Sequence, residues 1–255
     1  MKIQERLRRP AALLLFTWAT AAAATAQDSP VSAKPPTRSL ISWQESAGAG
    51  ALLVAGFAAD PSLRDFVQDH RSGTTNRLAD LGDLFGNKFV VVPALGLGLL
   101  GGKLLHRDGV FRASLKAGEA AALASAVNGL LKVGFGRGRP LDRPGDPDFF
   151  RPFTLSDNSF PSGHTALAFS MATALAAQTH HRWTHLALFS LAGLTGLARL
   201  NDDKHWASDV IAGAAIGILA GRWVSRRKSR EERGARSEGE GGSPSSLLTP
   251  CSSRR

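Results

Sequence analysis

Apolar residues are gathered into six stretches in the middle of the chain, and polar residues separate them. The stretches are rich in Ala, Leu and Gly, and they cover residues 46–59, 89–105, 113–131, 165–178, 186–198 and 209–224. Because alternating Val and Ile of the strand type are nearly absent, the pattern predicts helices. We therefore expect an all-α fold, a membrane-associated bundle of about six helices.

The lengths of these stretches leave two kinds of bundle open. Most stretches hold about 13 to 18 apolar residues, fewer than the ~20 that cross a bilayer as a helix. The third stretch contains Lys116 and Glu119, and the mean hydropathy of the chain is −0.07. The pattern fits a membrane bundle of short helices, and it also fits a soluble periplasmic bundle whose apolar helices pack on each other.

The two ends of the chain differ in composition from the middle. Residues 1–26 combine a basic start, an apolar run and the small residues ATA before Gln27, which is typical of an export signal; a retained membrane anchor is the alternative. Residues 27–45 are predicted as a linker, 46–224 as the helical domain, and 225–255 as a disordered basic tail. These features predict a bacterial cell-envelope protein, either in the inner membrane with its active site facing the periplasm or exported to the periplasm.

Charge and cysteine content exclude several partners. The 255 residues carry a formal net charge of +10. No basic helix has interleaved aromatic side chains, so nucleic acid is not an expected partner. The single cysteine, Cys251, excludes an intramolecular disulfide and a cysteine-based zinc site.

The arginine-rich segment from Arg222 onward predicts a cytoplasmic C-terminus. Each membrane-spanning helix changes the side of the chain, so counting helices back from the C-terminus places the loop after residue 198 outside.

Three polar clusters lie at the ends of predicted helices, on the same predicted side of the bundle. The first, KVGFGRGRP, begins at Lys132 and contains Arg137 and Arg139 with three glycines between the basic residues. Arg presents a rigid fork that binds phosphate through two hydrogen bonds, and Lys adds a point charge. This cluster therefore indicates an anion-binding loop.

The second cluster, PSGH, marks the start of a helix at Pro161. The backbone N–H groups of Ser162 and Gly163 would point outward at the positive end of the helix dipole, which favours a bound anion. The third cluster, ARLNDDKHWASD, supplies another cation at Arg199 and the pair His205 and Asp209. Asp209 can hold one imidazole nitrogen of the histidine protonated, which leaves the other as a nucleophile or base.

The order Lys-x6-Arg-Pro, Pro-Ser-Gly-His and Arg-x5-His-x3-Asp resembles the type 2 phosphatidic-acid phosphatase superfamily, which also contains the vanadium haloperoxidases. The resemblance covers roughly residues 80–224. It implies a phosphatase without metal or other cofactor that hydrolyses phosphomonoesters or pyrophosphates, with lipid phosphates as the expected substrates. A phosphorylated small molecule or lipid and the membrane are the partners that it implies.

The resemblance also implies a role for each motif residue. His205 attacks phosphorus and forms a phosphohistidine, Asp209 orients it, and His164 protonates the leaving oxygen and later activates water. The phosphate-binding residues that it implies are Lys132, Arg139, Ser162, Gly163 and Arg199. We expect Arg137 to act through the electrostatics of its loop, and residues 75–87 are interpreted as a polar helix entrance bordering the pocket.

Other functions stay open at this point. The same cage of cations binds vanadate, so a vanadate-dependent haloperoxidase is one alternative. Ala198 stands where the family usually has Ser, which predicts lower activity or altered contacts, and a non-enzymatic membrane protein that binds lipid phosphates is the second alternative. No metal is expected at Asp202 and Asp203 because Lys204 and Arg199 lie among them. We interpret those two acidic residues as the N-terminal pair of the last helix.

Overall fold

The computed structural model describes residues 40–154 and 158–240, with side chains described as far as residue 227. Within these ranges the chain forms seven helices and no strand. They are α1 (Trp43–Asp69), α2 (Gly73–Gly86), α3 (Lys88–Leu104), α4 (Asp108–Phe135), α5 (Gly163–Ala176), α6 (Arg182–Asn201) and α7 (Ala207–Glu240). The predicted all-α class is confirmed, with one helix more than the apolar stretches indicate.

The additional helix is α2, which the search for long apolar runs does not reveal. Its buried residues are small, namely Ala79, Gly82 and Gly86, whereas Leu78, Leu81 and Leu84 are exposed. The helix begins with a capping box, in which Ser72 Oγ accepts the N–H of Thr75 and Thr75 Oγ1 accepts the N–H of Ser72. A helix that buries glycine and alanine contributes little to an apolar run in the sequence.

The helix bounds also differ from the predicted stretches at both ends of the described chain. The first helix begins at Trp43, within the predicted linker, because Ser42 and Glu45 form a capping box there. The last helix continues to Glu240, within the predicted tail. The division of the chain into signal, linker, domain and tail stays a prediction, and residues 1–39 and 241–255 lie outside the described residues.

The central helix of the bundle is α5, since ten of its 14 residues are buried. It packs on α4, α6 and α7 through Ala168, Phe169 and Ala172 among others. A Cβ added at Gly217 of α7 would lie 2.5 Å from the carbonyl oxygen of Ala166, so the two backbones touch there. At the starts of these helices, the N–H of Ser162 donates to the carbonyl oxygen of Asp209 at 2.9 Å, so the N-terminal ends of α5 and α7 lie side by side.

Apolar surface is extensive on the described part of the chain. By length and hydropathy, the segment Ala207–Arg227 of α7 could cross a membrane, and α2 with α3 could form a second span if this pair, bent by 49°, is counted as one. Two thirds of the α7 window is buried inside the bundle. On α3, by contrast, large apolar side chains point outward, among them Phe89, Val92, Leu97, Leu100 and Leu104.

Candidate active site

A cavity of about 350 Å³ opens at one end of the bundle, where α4 and α6 end and α5 begins. It is lined by Asp83, Lys132, Arg139, Asn158, Gly163, His164, Arg199, Lys204 and His205. Six of the eight residues predicted for the site are in this lining; Ser162 and Asp209 are not. Four cationic side chains face one carboxylate, so the cavity suits an anion.

His205 lies in the turn before α7, and its ring is held by the first turn of that helix. The Nδ1 atom lies 3.4 Å from Oδ2 of Asp209, which also accepts the backbone N–H of Trp206 at 2.9 Å. The hydroxyl of Ser159 donates to the same carboxylate oxygen. Burial lowers the pKa of His205, while Asp209 opposes this effect. The Nε2 atom is therefore the ring nitrogen available for chemistry.

Arg137, which we expected to act through the electrostatics of its loop, does not line the cavity and is a fully buried partner of Asp209. Its Nη1 donates to Oδ1 of Asp209 at 2.7 Å and to the Ser208 hydroxyl at 2.6 Å. Its Nη2 donates to Oδ2 of Asp60 at 2.7 Å. The guanidinium lies between two carboxylates and thereby fixes the one that faces His205.

Asp60 of α1 is a residue that the sequence reasoning missed. Its carboxylate accepts the N–H of Ser208 at 2.9 Å and the Ser208 hydroxyl at 2.6 Å, in addition to Arg137. It thus caps the first turn of α7, the turn that carries Asp209. The available signal was a lone carboxylate directly after an apolar stretch, at the step Asp60–Pro61.

The side chains of Lys132 and Arg139 are held by Asn158, in the segment that precedes α5. The Nζ atom of Lys132 donates to the carbonyl oxygen of Asn158, and Nη2 of Arg139 donates to Oδ1 of Asn158 at 2.8 Å. Asn158 is another residue that the sequence reasoning missed. It brings the Lys132 and Arg139 side chains to the same wall of the cavity.

Of the three site residues predicted from the second cluster, Gly163 and His164 line the cavity and Ser162 does not. A Cβ at Gly163 would lie 3.3 Å from Asn128 Oδ1, so the glycine lets Asn128 approach the start of α5 closely. Burial, with a smaller effect from Arg199, lowers the pKa of His164 to about 4. Ser162 is fully buried: its N–H donates to the carbonyl oxygen of Asp209 at 2.9 Å, and its hydroxyl lies 2.9 Å from Thr165 Oγ1. The predicted contact of Ser162 with phosphate stays a prediction.

The third cluster contributes Arg199, which is 3% exposed and lies between two carboxylates. Its Nη2 is 2.6 Å from Oδ1 of Asp83 and 3.0 Å from Oδ2 of Asp202, which Lys204 also contacts at 3.1 Å. The interpretation of Asp202 and Asp203 as the N-terminal pair of the last helix is wrong. Asp202 follows α6 and Asp203 forms a paired contact with Arg64, at 2.7 and 2.6 Å.

Parts of this chain are similar to known proteins. A family model described as "PAP2 superfamily" matches residues 113–233. A lipid A 1-phosphatase of Porphyromonas gingivalis is 43% identical over 89 residues, which are 33% of this chain and 20% of that protein. The bacitracin transport permease protein BcrC of Bacillus licheniformis is 38% identical over 68 residues, or 27% of this chain and 32% of that protein. The matches thus span only a fifth to a third of the length of these curated relatives.

A solved structure shares the helical arrangement. The transmembrane PAP2 type phosphatidylglycerolphosphate phosphatase of Bacillus subtilis superposes with a TM-score of 0.56 at 20% identity, over 73% of this chain and 96% of that one. LpxE of Aquifex aeolicus gives a TM-score of 0.48 at 22% identity, over 65% of this chain and 93% of that one. The Bacillus subtilis structure establishes the likeness in fold. Asp60 and Asp83 lie before the segment that the family model matches.

Proposed function

We propose that this chain, whose residues 113–233 match the PAP2 superfamily model, hydrolyses phosphomonoesters or pyrophosphates of lipids without a metal ion, through a phosphohistidine on His205. One observation carries the proposal. His205, whose Nδ1 faces Asp209 at 3.4 Å, lines a cavity with Lys132, Arg139 and Arg199. A nucleophile among fixed cations is what phosphoryl transfer requires, since the transition state spreads negative charge over the phosphoryl oxygens.

In the first step, the lone pair of His205 Nε2 attacks phosphorus, and the bond from phosphorus to the leaving oxygen breaks. The leaving oxygen takes a proton from His164 and departs as an alcohol from a phosphomonoester, or as part of a phosphate from a pyrophosphate. Asp209 stabilises the positive charge that forms on the His205 ring, because its carboxylate faces Nδ1–H. The basic side chains stabilise the phosphoryl oxygens throughout.

In the second step, neutral His164 accepts a proton from water, whose oxygen attacks phosphorus. The nitrogen–phosphorus bond breaks, inorganic phosphate leaves, and His205 is again neutral with its proton on Nδ1. His164 must hold a proton in the first step, although burial lowers its pKa to about 4. A bound phosphoryl dianion supplies the negative charge that raises this pKa when substrate is present.

We propose a membrane location with the cavity on the extracytoplasmic side. The outward apolar side chains of α3 support contact with lipid, because such a surface is costly in water. The basic segment after residue 222 lies at the far end of α7 from His205, and basic segments stay in the cytoplasm. Relatives whose names specify lipid phosphates support a lipid substrate.

The test is hydrolysis by the purified protein in detergent, with EDTA present. Phosphatidic acid, a polyprenyl pyrophosphate and a soluble phosphomonoester are compared. We expect release of inorganic phosphate from a lipid substrate, and a loss of at least about 10³-fold in His205→Ala because the nucleophile is gone. His70→Ala is the matched control, since His70 is an exposed histidine bonded to the carbonyl oxygen of Phe66.

Trapping tests the intermediate separately. Brief reaction with ³²P-labelled substrate and an alkaline quench should leave label on the protein that is stable to base and lost in acid, as expected for a nitrogen–phosphorus bond. His205→Ala should carry none. Phosphate release that needs an added metal, or label that survives acid, contradicts the mechanism. Halide oxidation with vanadate in a protein inactive on every phosphate ester would favour the haloperoxidase alternative.

A further inference from the structure

We propose that Asp83 is a positioning residue of the phosphatase site: its carboxylate anchors Arg199 and keeps on His164 the proton that goes to the leaving oxygen. This inference rests on the proposed function. Asp83 belongs to α2, which precedes the segment matched by the family model. The catalytic cavity is therefore completed by a helix outside that segment.

The position of Asp83 follows from the two glycines that flank it. A Cβ at Gly82 would lie 2.6 Å from the carbonyl oxygen of Leu194, and one at Gly86 would lie 2.8 Å from that of His164. The Thr195 hydroxyl donates to the carbonyl oxygen of Gly82 at 2.6 Å, which fixes α2 against α6. The sequence GDLFG thus lets α2 lie directly on α6 and on the start of α5, with the carboxylate between them.

One oxygen of Asp83 faces both catalytic groups. The Oδ1 atom is 2.6 Å from Nη2 of Arg199 and 3.6 Å from Nε2 of His164. The second distance is beyond a hydrogen bond, but it is within the range at which opposite charges favour each other. A small movement of the ring brings a protonated Nε2 into hydrogen-bonding distance of the carboxylate.

Asp83 supplies the negative charge that favours the protonated form of His164, against several positive charges around the ring. Burial is the largest effect that lowers the pKa of His164, and Arg199, His205 and Lys204 lower it further. Lys132 and Arg139 line the same cavity and add positive charge. Among the described groups facing the ring, Asp83 is the one whose charge raises its pKa. Removal of this charge should leave His164 a weaker source of the proton for an alkoxide leaving group.

The leaving group separates this role from a structural one. The leaving group of phosphatidic acid is the diacylglycerol alkoxide, which needs a proton to depart. The leaving group of p-nitrophenyl phosphate is a stable phenolate, which does not. In Asp83→Asn we expect kcat/KM for phosphatidic acid to fall about 10- to 100-fold, and kcat/KM for p-nitrophenyl phosphate to fall less than about 3-fold. We compare kcat/KM because it covers the steps up to departure of the leaving group, whereas the later attack of water through His164 is common to both substrates. In a His164→Ala background, Asp83→Asn should change neither rate by more than about 2-fold.

The matched control is Asp202→Asn. It removes the other carboxylate beside Nη2 of Arg199, at 3.0 Å, without facing His164. We expect it to change both substrates by the same factor. An equal loss on both substrates in Asp83→Asn, or a full further loss in the His164→Ala background, would overturn the proposal and leave Asp83 as an anchor of Arg199 alone.

A titration that needs no catalysis separates failure of this inference from failure of the proposed function. ¹⁵N-histidine spectra of the protein in detergent, with the His164 signal assigned through His164→Gln, follow its protonation between pH 8 and 4.5. In Asp83→Asn, His164 should begin to protonate at a lower pH than in the wild type. In Asp202→Asn, the titration of His164 should follow the wild type. Coincident curves for wild type and Asp83→Asn overturn the inference even if the enzyme is active. Inactivity on every phosphate ester with separated curves overturns only the proposed function.

Discussion

At the scale of single residues, the most consequential contact is the one between Arg137 and Asp209. A buried ion pair is expensive to form and strongly destabilising to break, because a lone buried charge remains. Here the guanidinium also bonds Asp60 and Ser208, so each of its charged partners is compensated. The arrangement fixes the carboxylate that faces His205, and it needs the fork geometry of arginine.

Arg137→Lys should therefore impair both activity and stability although the charge is retained. An ammonium cannot reach Asp60, Ser208 and Asp209 together, so we expect a loss of about 1–3 kcal/mol in the free energy of unfolding. With Asp209 released from its place, kcat should fall about 10-fold or more. Denaturant unfolding and phosphate release measure the two effects.

Arg143→Lys makes the same change in the same loop and serves as the control. Arg143 stacks on the ring of Phe149, 3.5 Å from its centroid, and does not line the cavity. We expect it to keep the wild-type kcat and to lose at most about 1 kcal/mol in the free energy of unfolding, because lysine stacks less well on the ring. A wild-type kcat in Arg137→Lys would show that Asp209 does not need this partner.

At the scale of elements, the site is built by helix ends that lie close together because the helices pack closely at glycine residues. The chain leaves α4 at Gly136, whose φ of 55° turns it sharply into the loop that carries Arg137 and Arg139. On the other side, α7 lies against α5 at Gly217, so that His205 and His164 approach the same cavity. Small residues rather than large apolar ones set these distances.

Gly217→Ala should destabilise the bundle even though alanine favours helices. The added methyl group would lie 2.5 Å from the Ala166 carbonyl oxygen and 2.8 Å from Phe169 Cβ, so α7 must move. Overpacking of this kind costs about 1–3 kcal/mol. Gly193→Ala, with no atom within 4 Å, is the control and should be neutral or stabilising by about 0.5–1 kcal/mol. Thermal unfolding in detergent compares them; equal midpoints would contradict the close approach.

At the scale of the whole molecule, the cavity and the turn between α3 and α4 lie at opposite ends of a long helix. The 28 residues of α4 span about 42 Å, more than the hydrocarbon core of a bilayer. Lys132 lies near the end of this helix at the cavity, and Leu105 lies just before its start. A membrane protein with this shape exposes the two ends to different compartments.

Thiol labelling of intact cells tests this topology. Leu141→Cys, in the loop beside the cavity, and Leu105→Cys are each introduced with Cys251→Ser; both leucines are exposed, at 62% and 71%. A reagent that passes the outer membrane only should label residue 141, and it should label residue 105 only after the inner membrane is permeabilised. Labelling of both positions from the same side would contradict the proposed orientation.

The sequence by itself determined the helical class and the chemistry of the motif residues. Both are local properties: apolar runs of helical length fix the class, and the spacing within each cluster places the basic residues and the histidines at helix ends. Their roles come from the family resemblance and stay predictions. Six of these residues do meet in one cavity.

Only the tertiary structure decided which carboxylates complete the site. Asp60 meets Arg137 across 77 positions of the chain, and Asp83 meets Arg199 across more than a hundred, so no spacing within a motif can reveal either contact. From the sequence, residues 75–87 are interpreted only as a polar helix entrance bordering the pocket, whereas residues 73–86 form a complete helix, which packs through Gly82 and Gly86 rather than through a long apolar run. Close backbone packing by small residues leaves little mark on hydropathy, and it becomes visible only when the partner helices are in place.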